Sequence, residues 1–170
     1  MNSIQEIISE FKNKVFNTAL GMVKNYQDAE DIGQEVFLEV YQKIDQFRGD
    51  SSLSTWIYKI TINKCLQFIR SKNALKRQAE TTSIRDQMMN IPDFEHPGLS
   101  LENKELGRLL LRAIELLPEP QRVAFTLHKI EQLSQEEIAA IMEKSVSSVE
   151  SLMHRAKQNL RKHLEAYYEK

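Results

Sequence analysis

Residues 133–164 read LSQEEIAAIMEKSVSSVESLMHRAKQNLRKHL, and this stretch constrains the fold more than any other. Two Ser-x-x-Glu spacings, Ser134 with Glu137 and Ser147 with Glu150, are those of capping boxes. In such a box the serine hydroxyl accepts the amide three residues on and the glutamate turns back to the serine amide. A polar turn of Glu143, Lys144 and Ser145 separates the two, so two short helices joined by a tight turn are expected, a helix-turn-helix. The first should bury Ile138, Ala139, Ile141 and Met142. The second should bury Val149, Leu152, Met153, Ala156 and Leu160, which recur at the steps of a helix packed on one side. Ser147, Ser148, Glu150, Ser151, His154 and Arg155 then face outward near the helix start, where a recognition helix presents side chains to base edges. Helix pairs of this kind also occur in all-α proteins that never meet DNA, so the motif alone leaves both readings open.

Leu, Ile, Glu, Gln and Lys dominate the 170 residues and there are only five glycines, so an all-α chain is expected. No run of about 18 apolar residues exists, and MNSIQEIISEFKNK lacks the basic-then-apolar plan of a signal peptide. A cytoplasmic protein without membrane insertion is expected. The single cysteine, Cys65, excludes an internal disulfide and a cysteine-rich zinc site, and His96, His128, His154 and His163 show no ligand spacing. No metal and no cofactor are therefore expected, and Cys65 reads as a small buried apolar residue.

The net charge of −1 hides a polarised chain. Residues 1–50 carry five basic and nine acidic groups, residues 51–80 six basic and one acidic, and residues 144–170 six basic and three acidic. Two basic patches suit phosphate contacts, and the acidic first part suits a basic protein surface.

Apolar residues at 4, 7, 8, 11 and 15 mark a first helix that continues through 19–23. A second begins near Asp28, with Asp28, Glu30 and Asp31 in its first turn, and buries Ile32, Val36, Val40 and Ile44. The loop DQFRGDSS follows at 45–52. A third helix, from about Leu53 to Arg70, is expected to bury Leu53, Trp56 or Ile57, Ile60, Leu66 and Ile69, with Lys59, Asn63, Gln67 and Arg70 on one polar face. Residues 73–99, polar and interrupted by Pro92 and Pro97, have the composition of a flexible linker between a first domain (1–72) and a second (100–170). The second domain should start near Ser100 with an apolar series Leu106, Leu109, Leu110, Ala113, Ile114 and Leu117. After Pro118 and Pro120 it resumes at Val123, Ala124 and Leu127. Each half is small enough to be only marginally stable alone.

Aromatic residues Phe47, Trp56, Tyr58 and Phe68 are interleaved with Arg48, Lys59, Lys64, Arg70 and Lys72, and no acidic residue occurs from Ser51 to Ala79. Aromatics among cations are how proteins hold single-stranded nucleic acid, by stacking bases while charge follows the backbone. At helical spacing an aromatic such as Trp56 also serves as a buried anchor, and the two roles divide these residues between them.

These stretches resemble the extracytoplasmic-function sigma factors, the smallest class of bacterial sigma-70-type initiation factors. DAEDIGQEVFLEVYQKIDQFRGDSSLSTWIYKITINKCLQFIRSK resembles conserved region 2, and LPEPQRVAFTLHKIEQLSQEEIAAIMEKSVSSVESLMHRAKQNLRKHL resembles region 4, in the family's order. The resemblance implies that Asp28, Glu30, Asp31, Gln34, Glu35 and Phe37 dock on the clamp helices of the largest subunit of core RNA polymerase, whose flap is a further contact. It implies that Phe47, Arg48, Ser51, Ser52, Trp56, Lys59, Asn63 and Arg70 engage the melted −10 element. Lys144, Ser147, Ser148, Glu150, Ser151, His154, Arg155, Lys157 and Arg161, with Lys162, would engage the −35 duplex, some reading bases and the lysines and Arg161 mainly holding phosphates. The linker resembles the segment that threads toward the RNA exit channel, and a dedicated anti-sigma factor is implied as a regulator. Promoter DNA and polymerase are thus the partners, with no small-molecule substrate.

The chain departs from the pattern where family members often have glycine and an apolar residue (here Glu143, Lys144), glycine-threonine (Ser147, Ser148) and basic residues (Glu150, Leu152). Either Glu150 accepts from a cytosine amino group, or −35 binding is weak and polymerase contacts dominate. Ile62 and Gln67 stand where arginine and aspartate are frequent, which leaves the −10 preference open. The rival functions are a stand-alone helix-turn-helix regulator, which would need a sensing pocket or dimer interface, and a protein-binding helical adaptor, against which the acid-free stretch argues. An enzyme is not expected: the Glu136–Glu137 pair sits on an exposed helix start, Ser147 has no base in local reach, and no glycine-rich phosphate loop is present.

Overall fold

The computed structural model describes residues 3–80 and 101–168, with side chains at 104–166 in the second stretch. Seven α-helices and one 3-10 turn make up the described residues, without a strand: α1 (Ile4–Val23), α2 (Tyr26–Lys43), the turn Ile44–Gln46, α3 (Leu53–Glu80), α4 (Leu101–Glu115), α5 (Glu119–Lys129), α6 (Gln135–Met142) and α7 (Val146–Tyr168). The first three helices pack on one another, and α7 packs on α4, α5 and α6, giving the two helical units expected. Most of residues 73–99, assigned to a linker, lies outside the described residues.

Local chemistry explains most boundaries. Ser3 and Glu6 form a reciprocal capping box at the start of α1. α2 begins at Tyr26, two residues before the expected Asp28, because the Asn25 side chain accepts the Asp28 amide at 2.9 Å and so caps the helix. Ser52 does the same for α3, accepting the Thr55 amide at 3.1 Å. α3 continues to Glu80 rather than ending near Arg70. Residues 71–80 are exposed but rich in helix formers, and Lys72 pairs with Asp28 of α2 at 3.5 Å. Pro120 sits in the first turn of α5, where its missing amide costs no intrahelical bond.

In the first unit Ile7, Phe11, Val15, Ala19, Ile32, Val36, Val40, Ile57, Ile60 and Cys65 are buried, so Cys65 is a core thiol that burial pushes up to about 12. Of the Trp56 or Ile57 alternative, Ile57 is the buried one, at 1 % exposure, and Trp56 is half-buried. Leu53, Leu66, Ile69 and Ile44 are only partly buried, at the rim of this core. In the second unit Ala113, Ile114, Leu117, Val123, Ala124 and Leu127 are buried as expected, whereas Leu106 and Leu110 are exposed, at 48 % and 38 %. The spacing is that of a helix packed on one side, but within the series burial is confined to its C-terminal end, at Ala113, Ile114 and Leu117.

The two cores are not separate. α1 packs on α5 and α3 on α6, so the buried residues of both units form one contiguous cluster. Gly21 permits the closest approach: a Cβ there would lie 2.2 Å from Ile130 Cδ1 and 3.0 Å from Thr126 Cγ2. Gly33, in the interior of α2, is different, because a Cβ there would meet nothing within 4 Å. Gly33→Ala is expected to stabilise the fold by about 1 kcal/mol, read as a rise in thermal midpoint of about 2–4 °C.

Candidate functional site

The helix-turn-helix forms from α6 and α7. Ser134 and Glu137 make the expected box in both directions, at 2.8 and 3.1 Å. The second expected box is absent. α7 starts at Val146, two residues earlier than a Ser147 cap implies, and Ser145 accepts the Ser148 amide at 3.1 Å while its hydroxyl donates to Ser148 Oγ at 2.9 Å. α6 closes through Glu143 at φ 56°, with the Lys144 amide returning to the Ala139 carbonyl at 3.0 Å, which leaves Ser145 as the next residue able to cap. Glu150 is thereby released from a capping role and is exposed.

α7 divides as its periodicity requires. Val149, Met153, Ala156 and Leu160 are buried and Leu152 is half-buried. Ser147, Ser148, Glu150, Ser151, His154, Arg155, Lys157, Arg161 and Lys162 are exposed, as is Lys144 in the turn. All the residues assigned to the −35 duplex therefore lie on the solvent side.

On α2, Glu30, Asp31, Gln34 and Glu35 are exposed, Asp28 is half-buried beside Lys72, and Phe37 packs half-buried against the core. Sequence reasoning missed two neighbours, Leu38 and Tyr41, exposed at 58 % and 64 %. They continue the helical steps of Gln27, Asp31 and Gln34, opposite the stripe Ile32, Val36 and Val40, so the spacing itself could have found them. The result is an outward face of acidic groups with two large apolar side chains at one end.

The third group centres on α3. Phe47 and Trp56 pack together with ring centroids 5.1 Å apart and their planes tilted by 37°. Arg48 is exposed, Ser51 is half-buried, Ser52 is committed to capping, and Gly49 supplies the φ of +77° that the loop requires. Lys59, Asn63 and Arg70 share one face, which lines a cleft of about 290 Å³ whose other wall is Glu119, Pro120, Val123, Met142, Glu143 and Lys144. Lys59 Nζ is 3.1 Å from Glu143 Oε1, and Arg70 holds Glu119 through two bonds of 3.3 and 2.8 Å. The Arg70 guanidinium beside Glu119 draws its carboxyl below the usual range. Tyr58 is buried, unlike the other aromatics of this stretch, and donates to Glu131 Oε2 at 2.7 Å. Burial raises both groups above their ordinary values.

Lys24, the C-cap of α1, donates to the Leu111 carbonyl of α4 and lies 4.0 Å from Glu115. Its side chain is 7 % exposed. Desolvation lowers its pKa to about 7, opposed by Glu115 and reinforced by Arg122. A lysine depressed in this way binds fewer protons in the folded chain than in the unfolded one between about 7 and 10.5, so folding is favoured as pH rises through that window. The slope cannot exceed about 1.4 kcal/mol per pH unit for one proton. Urea midpoints taken between about pH 7 and pH 9 are expected to rise more for the native chain than for Lys24→Asn, which tolerates the left-handed backbone and lacks the titrating group. Arg122 itself closes the other end of this contact, bonding the Glu115 carbonyl and, at 3.3 Å, that of Leu117 at the end of α4.

Among the described residues no group of histidine, cysteine and carboxylate side chains could hold a metal, and no helix is long and apolar enough to cross a membrane.

Comparison with known proteins accounts for both units. Residues 7–75 match the model of sigma-70 region 2, and residues 107–160 match that of sigma-70 region 4. The chain is 33 % identical over 135 residues to the ECF RNA polymerase sigma-E factor of Escherichia coli, covering 77 % of this chain and 71 % of the relative. It is 29 % identical over 163 residues to the RNA polymerase sigma-H factor of Pseudomonas aeruginosa, covering 94 % and 84 %. In fold it is similar to the sigma factor RpoE of Bartonella quintana, solved in complex with the anti-sigma factor NepR, with a TM-score of 0.72 at 21 % identity over 95 % of this chain and 96 % of that one. It is also similar to CnrH, solved with the cytosolic domain of CnrY, with a TM-score of 0.69 at 20 % identity over 96 % and 88 %. Two region models in order and a relative matched across both halves establish the family: the chain belongs to the extracytoplasmic-function sigma factors of the sigma-70 family.

Proposed function

We propose that this sigma factor, acting in the cytoplasm, binds core RNA polymerase and starts transcription at promoters whose −10 and −35 elements it engages with different units. The observation that carries the reading is the division of α7. One stripe is buried and the whole assigned −35 set, from Ser147 to Arg161, lies on the opposite exposed side. Arg155 and His154 suit base edges, and Lys144, Lys157, Arg161 and Lys162 suit phosphates. Glu150, freed from capping, is an acceptor suited to a cytosine amino group.

The acidic outward face of α2, with Leu38 and Tyr41, is suited to the polymerase clamp helices, and the flap is a second polymerase contact. Its core joins an apolar anchor to charges that steer a basic partner. The paired rings of Phe47 and Trp56, with Arg48, Ser51, Lys59, Asn63 and Arg70, suit melted −10 DNA. Capturing an unstacked base offsets the few kcal/mol of unstacking, so opening needs binding energy and no catalytic residue. The sigma factor RpoE that it resembles in fold was solved in complex with the anti-sigma factor NepR, which supports an anti-sigma partner for this chain as well.

The test combines the purified chain with bacterial core polymerase and a duplex promoter library, reading thymine reactivity in the melted strand and run-off transcripts. Opening only when both proteins are present is the expected result. Tight duplex binding by the chain alone, without opening, would make it a stand-alone regulator and overturn the proposal.

A further inference from the structure

Each unit sends one ionisable side chain into the other. Lys24, which ends α1, reaches the second unit, where its ammonium donates to the Leu111 carbonyl of α4 and its side chain is 7 % exposed. Glu131, just past α5, reaches the first unit, where its Oε2 accepts from the Tyr58 hydroxyl of α3 at 2.7 Å. The groups that cover each of them belong to the opposite unit, so parting the units would return both to water.

Neither charge is closely compensated. The carboxylate nearest Lys24 is Glu115 of α4, at 4.0 Å and with its own side chain 58 % exposed, and Arg122 of α5 brings a second cation to the same place. Glu131 has Tyr58 on one oxygen, while Oε1 is buried without a hydrogen-bond partner among the described residues. Lys14 of α1 is the cation that acts on Glu131, and Glu137 of α6 acts on Tyr58. His128, at this end of α5, is engaged with the Leu133 carbonyl at 3.2 Å. A buried ion without a close counter-ion favours its neutral form.

Closing the units therefore moves protons in two directions. Desolvation brings Lys24 from its ordinary 10.5 to about 7, so between these values the closed chain holds fewer protons than the open one and rising pH favours closure. Burial raises the Glu131 carboxyl above its ordinary 4.5, so in acid the closed chain holds more protons than the open one and falling pH also favours closure. For one proton neither slope can exceed about tenfold in the closed-to-open ratio per pH unit. Closure is least favoured in the window below about pH 7 where both groups are ionised.

We propose that the contact between the two units is a proton-linked switch, in which Lys24 and Glu131, each buried by the opposite unit, hold the free chain most open when both carry charge and let it close when either is neutral. The switch accounts for a lysine at the left-handed end of α1, φ 58°, where glycine or asparagine would meet less strain. It also accounts for the unpaired Oε1, which needs a partner only while the carboxyl is ionised.

The experiment uses the full chain with Glu10→Cys and Gln158→Cys, both exposed positions, carrying a donor and an acceptor dye, while buried Cys65 stays unlabelled. About 0.5 M NaCl screens the exposed pairs Lys59–Glu143 and Arg70–Glu119, so that the buried groups dominate the response. The closed-to-open ratio, read as energy transfer, should rise about 10- to 50-fold from about pH 7 to about pH 9, and several-fold from about pH 6.5 to about pH 5. Lys24→Asn should abolish the alkaline rise and keep the acid one, and Glu131→Gln should do the reverse. In parallel, NMR of lysine labelled with carbon-13 follows Lys24 itself, whose titration midpoint should lie near 7 in the native chain. Gly21→Gln, whose Cβ would lie 2.2 Å from Ile130 Cδ1, opens the contact without touching either group and should return that midpoint toward 10.5. Energy transfer in the native chain that stays flat from about pH 5 to about pH 9 would overturn the proposal, as would both rises persisting in both variants. So would a Lys24 midpoint near 10.5 in the native chain, a reading that stands even where a variant fails to fold. No polymerase or DNA enters these measurements, so their outcome is separate from that of the transcription test.

Discussion

Reversing two charges on α2, Asp31→Lys with Glu35→Lys, is expected to lower affinity for core polymerase by about 100-fold or more. Like charges brought together at an interface cost several kcal/mol, and each 1.4 kcal/mol is about a factor of ten. The change should leave folding intact. Asp31 is exposed and its nearest partner is Gln27 at 3.3 Å, and Glu35, 63 % exposed, stands 4.0 Å from Lys64, which keeps Glu39 at 3.1 Å. Fluorescence anisotropy of the labelled chain titrated with core polymerase measures the loss. Arg155→Ala is the mirror experiment. It removes an exposed guanidinium from α7, so initiation at promoters carrying a −35 element should fall by about 10- to 100-fold with polymerase affinity unchanged, as for one lost base contact. Equal loss of both activities from either change would show that docking and DNA reading are not divided between the units in this way.

Leu127→Ala is expected to destabilise the second unit by about 2–5 kcal/mol, a large share of the stability of a domain this size. Leu127 is fully buried on α5, so the truncation leaves a cavity between α5 and its neighbours. Leu110→Ala, by contrast, should cost under about 1 kcal/mol, because that side chain is 38 % exposed on α4. Both leucines read as core in the sequence, and the pair separates apolar pattern from actual burial. Urea unfolding followed by helical circular dichroism gives the two midpoints. A midpoint for Leu110→Ala as low as that for Leu127→Ala would show that α4 buries a wider face than the structure assigns.

Most of the helix-turn-helix was legible, because its signals are local. Ser134 and Glu137 are three apart, and Val149, Met153, Ala156 and Leu160 fall on one face by period alone. The second cap was misassigned to Ser147 since Ser145 and Ser147 both precede an acceptable partner at the same spacing. The choice between them depends on where the Glu143 turn ends α6, a matter of backbone geometry. The outward face of α2 was only half legible. Its carboxylates drew attention as charge, while Leu38 and Tyr41 passed as ordinary apolar residues until burial showed them on the same side.

Sequence alone determined the helical class, the order of the two units, the buried stripe of α7 and the separation of an acidic helix from a basic one. Each follows from periodicity, capping and charge within about a dozen residues of chain. Only the tertiary structure decided that the two units share one core, that Tyr58 is a buried donor rather than a stacking ring, and that Lys59 meets Glu143 across 84 residues. The physical reason is that a helix states which of its faces is apolar and which is charged, but not what it will meet. Contacts between distant segments are chosen by complementary shape and charge once both surfaces exist, and nothing in the neighbouring residues of either partner records the choice.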